Sequence, residues 1–317
     1  MEKSRQGFAL LIVLWILTLL SLMAGSFALT MRRENGVTFA LKNNAAVTVV
    51  AESGLTLAMY MLQLPDPEQR WLVDGTVYRF LRKDGGEVRI SIVSESGKVD
   101  VNTGNEKQLL AIVKAVTGGK WDAENLVNKI LDWRDEDNEV RPHGAEKQEY
   151  IDAGLSYTPS NKPFQSLEEL QMLLGMDEAI FAQLQPWLTV YSGQSEVNLS
   201  EATPEVLEII SNDLTTRNVQ NSTAQQALGN NSQPGGNQLN AGSADNKNGA
   251  YTITIEVHME DGASASLEAV TRLPSPDSGL SGYPILDWKQ NQLTRSLFAN
   301  AMDSRLITVQ DEFTNNN

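Results

Sequence analysis

The strongest constraint on this chain is an uncharged apolar run from Phe8 to Met31, which follows a short leader, residues 1–7. The run is 24 residues long, and charge resumes only at Arg32. As a helix it would span roughly 36 Å, at about 1.5 Å per residue, and a hydrocarbon core is about 30 Å thick. The run therefore predicts a membrane-spanning helix at the start of the fold.

Three interpretations of this run compete. A secretory signal peptide agrees with the basic start and with Ser26-Phe27-Ala28 as a cleavage site, but the apolar cores of such signals are usually about 7–15 residues long. A plain membrane anchor is the second interpretation. The positive-inside rule favours a cytoplasmic leader only weakly, because basic residues flank both ends of the run. The third is a leader that ends at Gly7 and is removed, with the apolar helix retained.

The residues around Gly7 and Phe8 favour the third interpretation. The leader and the sequence Phe8-Ala-Leu-Leu-Ile-Val-Leu resemble the prepilin signals of type IV pilins and type II secretion pseudopilins. The resemblance implies a prepilin peptidase that cuts between Gly7 and Phe8 on the cytoplasmic side of the membrane, and methylation of the processed chain. Most members of these families have Glu at the fifth processed position, where this chain has Ile12.

The absence of that glutamate has a physical meaning. A carboxylate in a membrane helix costs roughly 2.5–3.5 kcal/mol, so it is retained where it has a partner. In the family, the Glu pairs with the N-terminal amine of the subunit above it. Ile12 offers no such pair, which is harmless for a subunit with nothing above it, and the lack of this Glu is typical of the K-type minor pseudopilin of type II secretion.

Composition narrows the possible partners. The chain has 317 residues, a net charge of −15 and no cysteine. Disulfides and thiolate metal sites are therefore excluded, and the acidic surface repels nucleic acid phosphates. Such a surface suits cations, basic partners or simple solubility, and we expect no nucleic acid partner.

Periodicity predicts a long helix and then strands. A helical seam extends to about Leu62 and ends before Pro65, although a break near Glu34–Gly36 stays possible. Turns at residues 83–86 and 261–262 predict two hairpins with a helical block between them. A capping box is predicted at Ser166–Glu169, and residues 293–307 are a candidate helix in an otherwise polar tail.

The resulting fold class is α+β: a pilin-like long N-terminal helix plus an antiparallel sheet, with a large α-helical domain inserted between strands. The predicted segments are a prepilin leader (1–7), the transmembrane half of the helix (8–31), the first part of the α/β domain (32–101), the inserted helical domain (102–214), a flexible loop (215–249), the second part of the α/β domain (250–290) and a C-terminal tail (291–317). The loop is assigned from its Asn, Gln, Ser and Gly content, which offers little apolar surface to bury.

The inserted block also resembles pieces of helix-hairpin-helix domains, which often bind DNA. Its two hairpins, residues 117–120 and 174–177, lack the apolar Gly-x-Gly form, and Asp177 lies where a phosphate would bind. Packing of a small helical domain is therefore favoured over DNA binding.

An acidic cluster follows the second helix of this block. Five carboxylates occur between residues 132 and 139, and Ca²⁺ prefers six to eight oxygen ligands. The EF-hand pattern fails, since Val140 stands where that loop needs Gly and no Glu occupies its twelfth position. The spacing leaves two interpretations open: a calcium loop, or a solvated helix end with salt bridges to Arg134 and Arg141.

Several motifs together resemble the K-type minor pseudopilins. They are Asp132-Trp133, Gly144-Ala145-Glu146, Val101-Asn102, Val197-Asn198 and Phe164-Gln-Ser-Leu-Glu-Glu-Leu170. The resemblance implies a calcium site in the inserted domain, with these ligands: Asp132, Asp135, Asp137, Glu139 and Glu146.

The resemblance also implies a cellular role. It predicts a minor pseudopilin at the tip of the type II secretion pseudopilus, which initiates assembly and aids export of folded proteins across the outer membrane. The implied partners are the I-type and J-type minor pseudopilins, the major pseudopilin and the prepilin peptidase. The chain would be a single-pass protein of the inner membrane with its globular part in the periplasm.

No enzyme is predicted, because the sequence contains no HExxH, Walker loop, nucleophile elbow or GxGxxG set, and only two histidines. Two alternatives to a pseudopilin stay open. One is a minor pilin of a type IV pilus or DNA-uptake system. The other is a secreted calcium-dependent binding module.

Overall fold

The computed structural model describes residues 6–118, 122–212, 249–273, 284–293 and 295–309. The first element, α1 (Gln6–Leu62), is one continuous helix of 57 residues, so the break considered near Glu34 does not occur. Within it an 18-residue stretch has a mean hydropathy of 2.4 and no buried residue, and α1 is therefore long and apolar enough to cross a membrane.

Within the described residues, the C-terminal part of α1 packs on a six-stranded sheet with the order β7-β6-β5-β2-β1-β8, in which only the β1–β8 pairing is parallel. The strands are β1 (Asp74–Leu81), β2 (Glu87–Ser94), β5 (Ala250–His258), β6 (Ser264–Arg272), β7 (Ile285–Gln290) and β8 (Leu306–Thr308). Both predicted hairpins are confirmed, since β1 pairs with β2 and β5 pairs with β6.

The two faces of this sheet differ. One face is aliphatic and contacts α1, where Gly54 allows close approach because a Cβ there would lie 3.1 Å from Ile255 Cγ2. Full burial of one such Ile side chain contributes about 1.5–3 kcal/mol, so this layer holds the helix to the sheet. The other face is largely polar and lies against the inserted domain and the C-terminal segment.

The inserted domain has its own hydrophobic core, separate from that of the sheet. Its elements are β3 (Val99–Asp100), α2 (Glu106–Thr117), α3 (Ala123–Arg134), α4 (Lys147–Asp152), α5 (Glu178–Leu184), β4 (Leu188–Thr189) and a helix, α6, at residues 204–212. The side chains of Asn105, Asp122 and Asp177 cap α2, α3 and α5 by accepting backbone N–H groups. β3 pairs in parallel with β4, which closes the domain where it joins the sheet.

The C-terminal part of the chain differs from its prediction. Instead of a loose tail with a helix at 293–307, it forms β7, a 3₁₀ turn (Asn300–Arg305) and β8. Leu297 and Met302 are buried with Val77 of β1. The backbone of Leu297 also bonds two charged side chains of the sheet: its N–H donates to Glu256 Oε2 at 2.6 Å, and its carbonyl accepts from Arg89 at 2.9 Å. These distant partners determine its conformation.

The predicted capping box at Ser166–Glu169 is also wrong. Leu167–Met172 is a 3₁₀ helix, and Ser166 makes no capping hydrogen bond there. Glu169 instead accepts the N–H of Gln165. The predicted flexible loop, apart from Gly249, lies outside the described residues.

Candidate metal centre

The acidic loop connects the end of α3 to the start of α4. Asp132 is in the last turn of α3, Asp135 follows its final residue, and Glu146 directly precedes α4. Oxygen atoms of Asp135, Asp137 and Glu146 all lie within 4.8 Å of one another. The loop thus returns on itself and brings together carboxylates that are up to 11 residues apart in sequence.

Asp132 holds this loop in place. Its side chain is fully buried, and its Oδ2 accepts the N–H of Ala145 at 2.9 Å and that of Arg141 at 3.3 Å. A Cβ on Gly144 would lie 1.9 Å from the same oxygen, so only glycine permits this approach. Burial raises the pKa of Asp132, and its two backbone hydrogen bonds oppose that rise.

Glu146 is the least satisfied acid of the site. Its side chain is 4% exposed and faces the N–H of Glu149 in a capping-box arrangement, but neither carboxylate oxygen makes a hydrogen bond in the described part of the chain. Burial, followed by repulsion from Asp132, Asp135 and Asp137, raises the pKa of Glu146 to about 7. Among the same described residues, Asp132 Oδ1 and Asp135 Oδ1 are also buried without a hydrogen bond. Because buried polar atoms normally have partners, this group of bare oxygens is typical of a cation site.

Arg141 supplies part of the compensating charge. Its Nε is 3.3 Å from Asp132 Oδ1, and its Nη2 is 3.5 Å from Asp135 Oδ2. Arg134, the other predicted partner, donates instead to the carbonyl of Val101. The salt-bridge interpretation is therefore met by one arginine only, which does not reach the two bare oxygens of Glu146.

The structure groups the five predicted ligands unevenly. Asp135, Asp137 and Glu146 converge, and Asp132 borders them. Glu139 is exposed and is not one of the converging three; its N–H donates to Asp137 Oδ1 at 2.8 Å and so orients that carboxylate. Ligand roles stay predictions for all five residues.

An aromatic cluster lies beneath the acidic loop. Trp133 is 2% exposed, and its ring centroid lies 6.0 Å from those of both Phe164 and Tyr150. The hydroxyl of Tyr150 accepts the N–H of Leu174 at 3.1 Å. The loop therefore rests on a rigid apolar base, and the alternation of Asp132 with Trp133 places one residue in the site and the other in the core.

Sequence reasoning missed one anchoring residue, Asp100. This buried carboxylate accepts the N–H groups of Asn102, Thr103 and Gly193 and the hydroxyl of Ser192. A lone Asp in a strand pattern carries no signal for such a role. The neighbouring Val-Asn motif does carry one, and its Asn102 amide bonds both backbone groups of Phe164.

The architecture is that of a membrane-anchored pilin-like protein: a long apolar N-terminal helix lies on an antiparallel sheet, with an acidic helical domain inserted after the second strand. Comparison with known proteins narrows this class. Residues 90–193, which include all five predicted ligands, match the family model of type II secretion system (T2SS), protein K.

Curated relatives agree with that match. The type II secretion system protein K of Klebsiella pneumoniae is 27% identical over 227 residues, which cover 65% of this chain and 69% of the relative. The protein K of Pseudomonas aeruginosa PAO1 is 27% identical over 138 residues, 40% of this chain and 41% of the relative. That of Dickeya chrysanthemi is 34% identical over 68 residues, 22% of this chain and 18% of the relative.

A solved structure is also similar, the crystal structure of the GspK-GspI-GspJ complex from enterotoxigenic Escherichia coli. The match has a TM-score of 0.49 and 15% identity, and covers 83% of this chain and 99% of the matched chain. The family model and the curated relatives confirm the resemblance predicted from sequence: this chain is similar to the K proteins of type II secretion.

Proposed function

We propose that this chain is a minor pseudopilin at the tip of the type II secretion pseudopilus, where it initiates assembly and aids export of folded proteins across the outer membrane. The observation that carries the proposal is Ile12. It lies in α1, a helix that extends without interruption from the apolar segment to the sheet. Ile12 is 45% exposed and offers no carboxylate to the amine of a subunit above.

The proposed partners are the I-type and J-type minor pseudopilins, with the major pseudopilin below them and the prepilin peptidase for processing. In the Escherichia coli complex, GspK is crystallised with GspI and GspJ. For this chain the part of α1 beyond the apolar segment supports helix–helix packing, because Val37, Phe39 and Leu41 are each at least 60% exposed. Such exposed apolar side chains on a membrane-proximal helix suit the helices of other subunits.

The proposed location is the inner membrane, with a single span and a periplasmic globular part. N-terminal sequencing of the mature protein tests it. Phe8 as the first residue supports the pseudopilin, whereas Leu29 indicates a cleaved secretory signal and contradicts the proposal.

The tip position is tested by Ile12→Glu, with Ile12→Gln as the matched control. Glu restores the charge that other subunits use, whereas Gln adds polarity without charge. We expect Ile12→Glu to reduce secretion of a folded substrate and to disturb the composition of complexes purified with the I-type and J-type proteins, and Ile12→Gln to do so less. Unchanged secretion and complex assembly in Ile12→Glu would count against the tip position.

We also propose that the acidic loop binds Ca²⁺. Three carboxylates with mutually close oxygens, bare oxygens on Glu146 and an uncompensated charge all fit a hard divalent cation. The ion would neutralise the repulsion between these groups. Isothermal titration of the metal-free protein with CaCl₂ tests the proposal, and absence of heat together with an unchanged melting temperature would remove it.

A further inference from the structure

A cavity of about 180 Å³ lies between the polar face of the sheet, the inserted domain and the C-terminal segment. It is distant in sequence from the acidic loop and shares no lining residue with it. An apolar protein cavity of about 150 Å³ is known to hold benzene, so this cavity is large enough for a small organic molecule.

Most charged side chains around the cavity are already paired. Lys98 Nζ lies 2.6 Å from Glu95 Oε1. Lys289 Nζ lies 2.8 Å from Glu168 Oε1, and that pair connects the sheet to the inserted domain. Arg305 pairs with Glu205 of α6 at another side. These ion pairs line the sides of the cavity, and in each pair the two charges largely neutralise one another.

The polar face of the sheet forms the floor of the cavity, and one row of its side chains has no such ion pairs. Ser91, Thr254 and Glu268 are direct cross-strand neighbours on β2, β5 and β6, and all three line the cavity. None of these side chains has a hydrogen bond or ion pair to another residue in the described ranges, although Ser91 is only 5% exposed. Burial raises the pKa of Glu268, and Lys98 and Lys289 oppose that rise from a distance.

The remaining lining is mixed: Arg295 and Thr203 contribute polar groups, and other residues contribute apolar and aromatic surface. Pro186 and Trp187 face the floor from the inserted domain, and Leu297 and Met302 contribute from the C-terminal segment. Adjacent strands are about 4.8 Å apart, so one donor group can bridge the carboxylate and the hydroxyl next to it. The Trp187 ring adds a surface that attracts cations.

We propose that this cavity binds a compact organic cation, a primary amine with an apolar body. Its ammonium group donates to Glu268 and Thr254, and its apolar part contacts Trp187 and Leu297. A carboxylic acid would face the unpaired charge of Glu268, and a neutral alcohol would leave that charge uncompensated. Arg295 also lines the cavity, but its five acidic side chains outnumber its four basic ones, so the lining favours a positively charged ligand.

The experiment uses the full chain in lipid nanodiscs, labelled with 5-fluorotryptophan and observed by ¹⁹F NMR. Benzylamine is the probe, with benzyl alcohol and benzoate as neutral and anionic probes of the same shape. We expect benzylamine to shift the Trp187 resonance saturably and to leave that of buried Trp133 unchanged. Benzyl alcohol and benzoate should not saturate.

Variants test which groups bind the amine. Glu268→Gln should weaken benzylamine binding at least about tenfold, because a charge-assisted hydrogen bond is lost. Thr254→Val, which keeps the β-branched shape, should weaken it by a smaller factor, and Glu52→Gln on α1 should have no effect. An unchanged Trp133 signal shows that each variant is folded. Absence of a saturable shift, equal binding of benzyl alcohol, or unchanged affinity in Glu268→Gln would each overturn the proposal.

Discussion

Replacing Glu146 by Gln should stabilise the calcium-free protein and remove the response to calcium that the proposed site predicts. The carboxylate is 4% exposed, both oxygens are bare, and its neighbours are Asp132, Asp135 and Asp137. Gln keeps the shape of the side chain but removes the charge that burial and repulsion disfavour. Wild type and variant should therefore respond to calcium differently.

The magnitude follows from the pKa of Glu146, which rises from its ordinary 4.5 to about 7. One pKa unit corresponds to about 1.4 kcal/mol, so at pH 8 the ionised side chain costs the calcium-free fold about 3 kcal/mol. For domains of this size 1 kcal/mol changes Tm by about 2–4 °C, so we expect Glu146→Gln to raise the calcium-free Tm by roughly 6–12 °C.

The pH dependence has a definite sign. The unfolded chain releases this proton near pH 4.5, whereas the folded chain keeps it to about pH 7. The contribution of Glu146 to the stability of the calcium-free wild type is therefore fully present below about pH 4.5 and is lost as the pH rises to about 7. The raised pKa values of Asp132 and Asp135 act in the same direction. The difference between variant and wild type should vanish at pH 4.5.

Thermal unfolding in EGTA and in CaCl₂, at pH 8 and pH 4.5, measures these effects. Glu136→Gln is the matched control, because Glu136 belongs to the same loop but is exposed and does not converge with the other acids. The reasoning is refuted if Glu146→Gln lowers the calcium-free Tm at pH 8. It is equally refuted if the variant keeps the full calcium response of the wild type.

Three further substitutions test the geometry around the two domains. Gly144→Ala places a Cβ 1.9 Å from Asp132 Oδ2 and should cost about 1–3 kcal/mol and weaken calcium binding, measured by urea unfolding and calorimetry. Gly97→Ala places a Cβ 2.4 Å from the carbonyl oxygen of Glu201 and should cost a similar amount in urea unfolding while calcium binding persists. Asp100→Ala leaves three N–H donors and a hydroxyl without their acceptor. Because these bonds are only partly buried, we expect a total cost of about 1–3 kcal/mol, and faster hydrogen exchange of these amides should report the loss. Unchanged stability in any of the three would contradict the contact on which it depends.

Local chemistry was sufficient to predict several of the regular elements. The charge-free run from Phe8 predicts the first half of α1, and the turn residues at 83–86 predict the β1–β2 hairpin. The helical block predicted between the two hairpins is also observed, and its second helix is α3 (Ala123–Arg134). In each case the partners are a few residues apart, so the pattern itself contains the interaction.

Predictions from local sequence were wrong where contacts with distant residues determine the conformation. Ser166 has the sequence of a helix cap, but Gln165 bonds Glu169 and the segment forms a 3₁₀ helix. The C-terminal segment gives no local signal for its strands, because its polar residues show no periodicity. Its structure depends on Leu297, whose partner Arg89 is 208 residues away.

The sequence by itself determined the class of protein: an apolar helix with Ile12 in place of a glutamate, a split α/β domain and a dense group of acids. Only the tertiary structure decided which acids meet, because Glu146 approaches Asp135 and Asp137 through the bend that Gly144 and Asp132 hold. It alone also revealed the row of Ser91, Thr254 and Glu268, since cross-strand pairing places side chains together that are up to 177 residues apart. The spacing of residues along a chain indicates local secondary-structure propensity. The burial of side chains and the compensation of their charges arise only when distant segments pack together.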